Sequence, residues 1–429
     1  MLSRRMVLVA LGGGALSTFM AYKPAPATGR ALGAVPEPVA GRTVEIALDA
    51  AERPTALPCF SGQTLPLWTF SADTPLPIVR LTLGDRLRAR LANNLPREGE
   101  HTSVHWHGIR LPNDQDGVPY LCQPPVQPGE SFTYDFTPPD TGSYFFHTHC
   151  NTVEQLGRGL AGLLIVEGDE TEPYDGEVVV AARDWRVDEA GFLPFMTDKG
   201  AGNAGSFGPL RSANGTVNPV TDVPAGADIR VRLYNLDPTR ILEVGVEGGD
   251  AAVIAVDGMA VTPFPLDTWR LGPAMRIDLV IRTPADGGSV SLIDYRVATP
   301  VPIATLRARG DRRRTAAFDP APLTASAVPA PDLAHAERLP FEFSTTGAGA
   351  ALAAMPDGAG LDDLCLSDRT FWSINKTSWP ADGHRALPAP LAMLRRGRSY
   401  VFELSNISKQ FHPIHIHGHS FTVLSSNKA

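Results

Sequence analysis

His412-Pro413-Ile414-His415-Ile416-His417-Gly418-His419 lies ten residues from the end of a 429-residue chain. Two earlier segments answer it, His105-Trp106-His107-Gly108 and His147-Thr148-His149. Most of the 11 histidines fall in these three clusters. Imidazole is the commonest metal-binding side chain and suits zinc, copper, iron and nickel. Successive side chains of a strand alternate faces, so His-x-His sends both rings to one side. Three such edges meeting in space would make a polynuclear metal site, and they ask for strands beneath them.

The rest of the chain supplies strands. Thr43-Val44-Glu45-Ile46-Ala47-Leu48 and the run Leu81 to Leu91 alternate apolar and polar residues between turn residues. That period of two argues antiparallel sandwich strands. A first unit closes with Leu163-Leu164-Ile165-Val166-Glu167-Gly168. A second begins near Val178 and ends about Arg309; a third follows a Pro/Ala-rich linker at 318–340. A strand-then-Asn phrase recurs at Leu87–Asn93, Ile229–Asn235 and Tyr400–Asn406. In each copy polar residues alternate with apolar ones, as on a half-buried strand leading to a turn. The recurrence suggests one sandwich fold used three times.

Length and composition agree. A chain this long exceeds what one core usually supports, so two or three domains are expected. Hydrophobic residues at 43% and charged ones at 20% are ordinary for a globular protein. Gly 40 and Pro 39 break the chain into short stretches, which favours strands and turns over long helices. A formal charge of −8 without a dense Lys/Arg run argues against a nucleic-acid surface. Ser3-Arg4-Arg5 before an apolar stretch to about Ala21, with Ala25-Pro26-Ala27 after it, looks like a twin-arginine export signal. An ordinary secretory signal or an anchor is the alternative. No later apolar run is long enough to span a bilayer, so a soluble periplasmic protein without a stable membrane anchor is expected. Four cysteines, Cys59, Cys122, Cys150 and Cys365, allow three full disulfide pairings, and the sequence does not choose among them.

HWHGIRLPNDQDGVP at 105–119, GSYFFHTH at 142–149 and HPIHIHGHSFTVL at 412–424 resemble the copper motifs of the multicopper oxidases, most closely the three-domain bacterial laccase-like type. The motifs stand in that family's order and at its separations. The resemblance implies tandem cupredoxin-like Greek-key β-sandwiches at 40–168, 172–310 and 336–429, the third incomplete, after a signal at 1–27. It implies a cluster of one type 2 and two type 3 coppers between the first and third domains, where O2 becomes water. Carried over residue by residue, His105 and His415 resemble the type 2 ligands. His107, His147, His149 and His417 resemble type 3 ligands, and His412 the first type 1 ligand. Asp116 matches a carboxylate near the type 2 copper that relays protons; a plain turn Asp before Gly117 is the alternative reading. His419 is left beside the ligands, and His101, His335 and His384 are expected in solvent or turns.

The family's later His-Cys-His segment, which completes the type 1 site and gives two more type 3 ligands, is not found before Ala429. By resemblance a stretch on the order of fifty residues is lacking, comparable to several strands. The trinuclear cluster is then expected to be partly retained and the type 1 site incomplete. Cys150 follows His149 directly and is read as a buried thiol or disulfide partner rather than a substitute ligand. The expected function is a laccase-like oxidase that couples one-electron oxidation of phenolic or metal-ion reductants to O2 reduction, impaired in this chain. The expected partners are that reductant, O2 and the twin-arginine export machinery, with no nucleic acid. The second reading is a non-catalytic periplasmic cupredoxin scaffold or copper-binding protein. Only 8 methionines and no long Met-rich insert weaken a dedicated cuprous-oxidase reading.

Overall fold

The structure, a computed structural model, describes residues 5–10, 41–345, 371–379 and 387–427. Most of the expected 1–27 signal, Cys365 and His384 lie outside the described residues. The chain divides into two compact units, one of Ala27–Phe195 with Phe207–Ser326, the other of Met1–Pro26, Met196–Ser206 and Ala327–Ala429. No described helix is long and apolar enough to cross a membrane.

The larger unit holds two sandwiches. In the first, one sheet orders its strands Leu65–Thr69, Thr43–Thr55, Arg86–Asn94 and Ser131–Phe136. The facing sheet runs Ile78–Thr82, Ala161–Glu167, Gly142–His147 and His105–His107. The alternation is visible atom by atom on Arg86–Asn94, where Leu87, Ala89 and Leu91 are buried and Arg86, Arg88 and Arg90 are exposed. Both sheets send apolar side chains to one core that includes Leu48, Leu91, Trp106, Tyr134, Phe146 and Leu164. Each such burial contributes about 1.5–3 kcal/mol before the cost in chain entropy.

The second sandwich joins a six-stranded sheet centred on Asp228–Asn235 and Arg276–Arg282 to a five-stranded sheet containing Ser289–Asp294. Here the expectation of a half-buried strand at 229–235 needs correction: every residue from Asp228 to Asn235 is buried. The polar face of that strand is covered, and its arginines are paired instead of solvated. The Arg230 guanidinium donates to Asp169 at 2.7 Å and to Asp278 at 2.6 Å. Arg232 donates to Asp278 at 3.1 Å and to the Ser143 hydroxyl at 2.9 Å, and Ser143 in turn donates to Asp278 at 2.6 Å. Charged side chains are buried only when paired and hydrogen-bonded, which is the case here.

In the smaller unit the described sheet runs Trp372–Ile374, Glu337–Thr345, Ser399–Asn406, Arg5–Ala10 and Phe421–Ser425. Arg5–Ala10, within the expected signal, pairs parallel with both of its neighbours. The strand Glu337–Thr345 begins inside the stretch expected as linker. Its Leu339, Phe341 and Phe343 pack on Tyr400, Phe402 and Leu404, a period-2 stripe that the surrounding prolines obscure in the sequence.

The recurring strand-then-Asn phrase has one structural meaning throughout. Each copy pairs parallel with an earlier strand: Arg86–Asn94 with Thr43–Thr55, Asp228–Asn235 with Gly176–Trp185, Ser399–Asn406 with Glu337–Thr345. Each terminal Asn then closes a turn. Its side-chain oxygen accepts from the backbone N–H two residues on, at 3.1 Å for Asn93, 3.1 Å for Asn235 and 2.9 Å for Asn406. Its amide nitrogen donates to carbonyls beyond: Glu100 and Val126, Arg240 and Leu271, and Gln410 respectively. Asn is suited because its short amide reaches its own backbone two residues ahead. Asn93 and Asn406 stand before the segments that bear His105 and His412.

Replacing Arg230 by Met should destabilise the protein by about 3–5 kcal/mol, because Asp169 and Asp278 keep buried charge without their main partner. Burial raises the Asp278 carboxyl, but Arg230 and Arg232 outweigh it and hold it below its ordinary value. A depressed carboxylate stabilises the folded state above its unfolded pKa and loses that contribution as pH falls. The gap in urea midpoint between wild type and Arg230→Met should therefore narrow below the ordinary aspartate range.

Candidate metal centre

The centre in the larger unit rests on two short strands in antiparallel register, with His105 opposite His147 and His107 opposite Phe145. On His105–His107 the alternation sends both histidines to one face and Trp106 to the other. Trp106 enters the sandwich core against Tyr134, Phe136 and Phe146, with ring centroids 5.6, 5.1 and 5.2 Å away. Such offset and edge-on aromatic contacts add to the burial energy of the ring. Packing Trp106 inward thus fixes the histidine face outward from the core.

His105, His107 and His147 each offer a ring nitrogen, and the three atoms lie within 4.8 Å of one another. All three residues are buried. His149, just past the strand end, is half-buried, with its ring centroid 5.7 Å from that of His105. Two backbone carbonyls orient the rings. Nδ1–H of His105 donates to the Asp116 carbonyl at 2.8 Å, and Nδ1–H of His147 donates to the Thr148 carbonyl at 2.6 Å. A carbonyl only accepts, so each ring carries its proton on Nδ1 and presents Nε2 as the donor to a metal. His147 Nε2 is 3.4 Å from His107 Nδ1. His107 stacks on Phe145, centroids 4.7 Å apart.

Asp116 is brought to this group by the loop 108–119. It ends a short 3-10 turn at Asn113–Gln115, is buried, and its Oδ1 lies 3.3 Å from His105 Nδ1. Gly117 permits the approach: it holds φ +80°, and a Cβ there would fall 1.8 Å from the Val104 carbonyl oxygen. Only glycine takes that conformation and that contact without strain.

The smaller unit carries the remaining candidates. His415 and His417 face each other with centroids 4.6 Å apart, His415 exposed and His417 half-buried. The expected strand alternation is not what places them. Residues 411–416 have no regular structure, and the strand begins only at Phe421. Pro413 supplies no N–H to a ladder there. His412 stands apart from them in its contacts. It lies edge-on to Trp372 at 4.5 Å and stacks on Phe343 at 6.0 Å, and its Nε2 is 3.0 Å from the Ser408 hydroxyl. Burial lowers its pKa and favours the neutral ring. His419 Nδ1–H donates to the His417 carbonyl at 2.8 Å, so it braces the backbone of that segment. Of the others, His335 pairs with Asp332 at the surface, and His101 lies edge-on to Tyr120.

Cys59, Cys122 and Cys150 are free thiols. Cys150 is buried with its Sγ 3.8 Å from the Ser103 hydroxyl. Burial pushes the Cys150 thiol up to about 12, which keeps it protonated. A thiolate is the form that binds metal, so this environment suits a packed thiol.

A group of buried imidazoles suits copper, zinc, iron or nickel. The sequence motifs name these rings but not what holds them. The carbonyls of Asp116 and Thr148 carry no sequence signal, because backbone acceptors are common to every residue. The Ser408 hydroxyl and the Trp372 ring that meet His412 belong to no motif.

Comparison with known proteins shows a family that binds copper. Multicopper oxidase family models match residues 56–171, 184–294 and 366–429. The chain is 35% identical to a multicopper oxidase structure from Pseudomonas thermotolerans, covering 90% of this chain and 85% of that one, with a TM-score of 0.75. It is 37% identical to one from Pseudomonas parafulva, covering 87% and 85%, with a TM-score of 0.73. The multicopper oxidase MmcO of Mycobacterium tuberculosis is 27% identical over 91% of this chain and 78% of its own length.

Gly117→Ala should move Asp116 and His105 apart, because the methyl group would strike the Val104 carbonyl. The expected outcome is a folded protein whose copper uptake at a fixed copper concentration falls at least severalfold, read by metal analysis after desalting.

Proposed function

We propose a function from one premise, that the chain belongs to the multicopper oxidase family, whose members are oxidoreductases acting on small-molecule or metal-ion reductants and O2. On this reading the chain couples one-electron oxidation of a phenolic or metal-ion reductant to reduction of O2 to water. Copper is held by His105, His107, His147 and His149 in the larger unit, and by His412, His415 and His417 in the smaller. The observation that carries this is the buried imidazole group, three ring nitrogens within 4.8 Å at the end of two paired strands.

Bound copper supplies the one-electron redox chemistry that no side chain here provides. The chain's own residues do the rest. His105 and His147 keep their protons on Nδ1 against carbonyls, so Nε2 stays available without any proton having to leave. Burial of His105, His107 and His147 keeps bulk water from the donors. Asp116, with Oδ1 beside His105, is placed to hold and pass a proton near the ligand ring, as oxygen reduction consumes protons. The Ser3-Arg4-Arg5 start and the apolar run after it support twin-arginine export to the periplasm as the route of this chain.

The test is copper content and oxygen uptake of copper-loaded protein with a phenolic reductant. Wild type should bind copper and consume oxygen. His107→Ala and His147→Ala should each lower copper per chain, and Asp116→Asn should retain copper while slowing oxygen uptake by about 10²–10⁴-fold, the usual worth of a proton-transfer group. Copper binding without oxygen uptake in wild type would make the chain a copper-binding scaffold. Absence of copper binding would remove the reading altogether.

A further inference from the structure

Gln155 lies completely buried on the helix Thr152–Arg158, six residues past the second histidine pair. Its amide nitrogen donates to Glu100 Oε1 at 2.7 Å and to the His101 carbonyl at 2.9 Å. Its amide oxygen accepts from the Thr102 hydroxyl at 2.9 Å and from the Thr148 hydroxyl. A glutamine amide has two donor hydrogens and two acceptor sites, and here all four are used. The His101 carbonyl has no hydrogen to give, so the amide cannot flip without losing that bond.

The partners matter more than the count. Thr148 separates His147 from His149, and its carbonyl is the acceptor that fixes the His147 ring. Thr102 and His101 lead into His105, and Thr102 is anchored to Val126 by two backbone hydrogen bonds of 3.0 and 2.9 Å. The Thr148 hydroxyl also accepts from the Cys150 N–H at 3.2 Å, so the turn after the strand is closed on the same side chain. One amide therefore ties together the chain segments that carry both histidine pairs.

We propose that Gln155 is a positioning residue for the histidine centre. Through Thr148 it sets the carbonyl that holds His147 in its Nδ1–H form, and through Thr102 and His101 it fixes the distance between the two histidine-bearing arms. This rests on the reading that these histidines bind copper. A fully satisfied buried amide is a rigid tie, and a half-satisfied one leaves several polar groups without partners at once.

The experiment compares Gln155→Met, Thr148→Val and Thr148→Ser with wild type and with His147→Ala. Copper affinity is read by titration against a competing chelator. The His147 tautomer is read separately by NMR of ¹⁵N-labelled imidazoles in the metal-free protein, with His147→Ala identifying the resonance. Gln155→Met and Thr148→Val should each weaken copper binding about tenfold, as loss of an outer support does. In both, His147 should no longer be held in the Nδ1–H form alone. Thr148→Ser, which keeps the hydroxyl, should match wild type in both readouts. Should Gln155→Met fail to fold, the nearly isosteric Thr148→Val decides the matter. Wild-type affinity and tautomer in folded Gln155→Met or Thr148→Val, with His147→Ala binding copper weakly, would overturn the positioning role and leave the copper reading intact. Wild-type affinity in His147→Ala would instead overturn the copper reading on which it rests.

Discussion

The pairing of His105 with His147 across two short strands is the contact on which the centre depends. Side chains alternate along a strand, so a slip of one residue would exchange every inward and outward group. Trp106 and Phe146 would then face the metal side, and the imidazoles would enter the apolar core. The register is held by what opposes that slip. Trp106, Tyr134, Phe136 and Phe146 fill the core as one aromatic group, and moving them out would expose several large apolar surfaces at once. The histidine face is in this sense a by-product of aromatic packing behind it.

That arrangement carries a cost. Buried polar nitrogens lose their water, at about 1–3 kcal/mol for each group left without a hydrogen bond. The protein offsets it at Nδ1 of His105 and His147 with backbone carbonyls. Metal binding by these rings would add to that stabilisation and so couple this corner of the fold to the metal.

The parts of this plan that could be read from the sequence are those with a period or a repeat. Alternation located the strands around Leu81–Leu91, and the His-x-His spacing located a common face on His105–His107, where a regular strand exists. The terminal asparagines Asn93, Asn235 and Asn406 were visible as a phrase, though only the structure shows why each is Asn. Other features left no such trace. His415 and His417 meet without a strand beneath them, because Pro413 interrupts the ladder and the backbone turns. Arg230 and Arg232 looked like solvent-facing residues of a half-buried strand. They are buried because Asp169 and Asp278 neutralise them, and such pairing across more than forty residues has no local pattern. Gln155 lies next to Glu154 and Arg158, so in the sequence it looks like one more polar residue on a surface helix.

Residues 172–310 contain no histidine, yet they act on the strand that ends in His147. Ser143, on that strand, donates to Asp278 and accepts from Arg232, while the buried Arg276 guanidinium donates to the Ser143 carbonyl at 3.1 Å. Four residues of one strand and its neighbour sandwich thus meet at a point four positions from His147. Charged hydrogen bonds of this kind are short and directional, and a paired strand transmits position along its length better than a loop does. The sandwich that carries no histidine therefore constrains the strand from one end as Gln155 constrains it from the other, and the His147 ring lies between two fixed points. A metal site needs its donors held to within about half an ångström, and around His147 the holding is done by residues outside the histidine group.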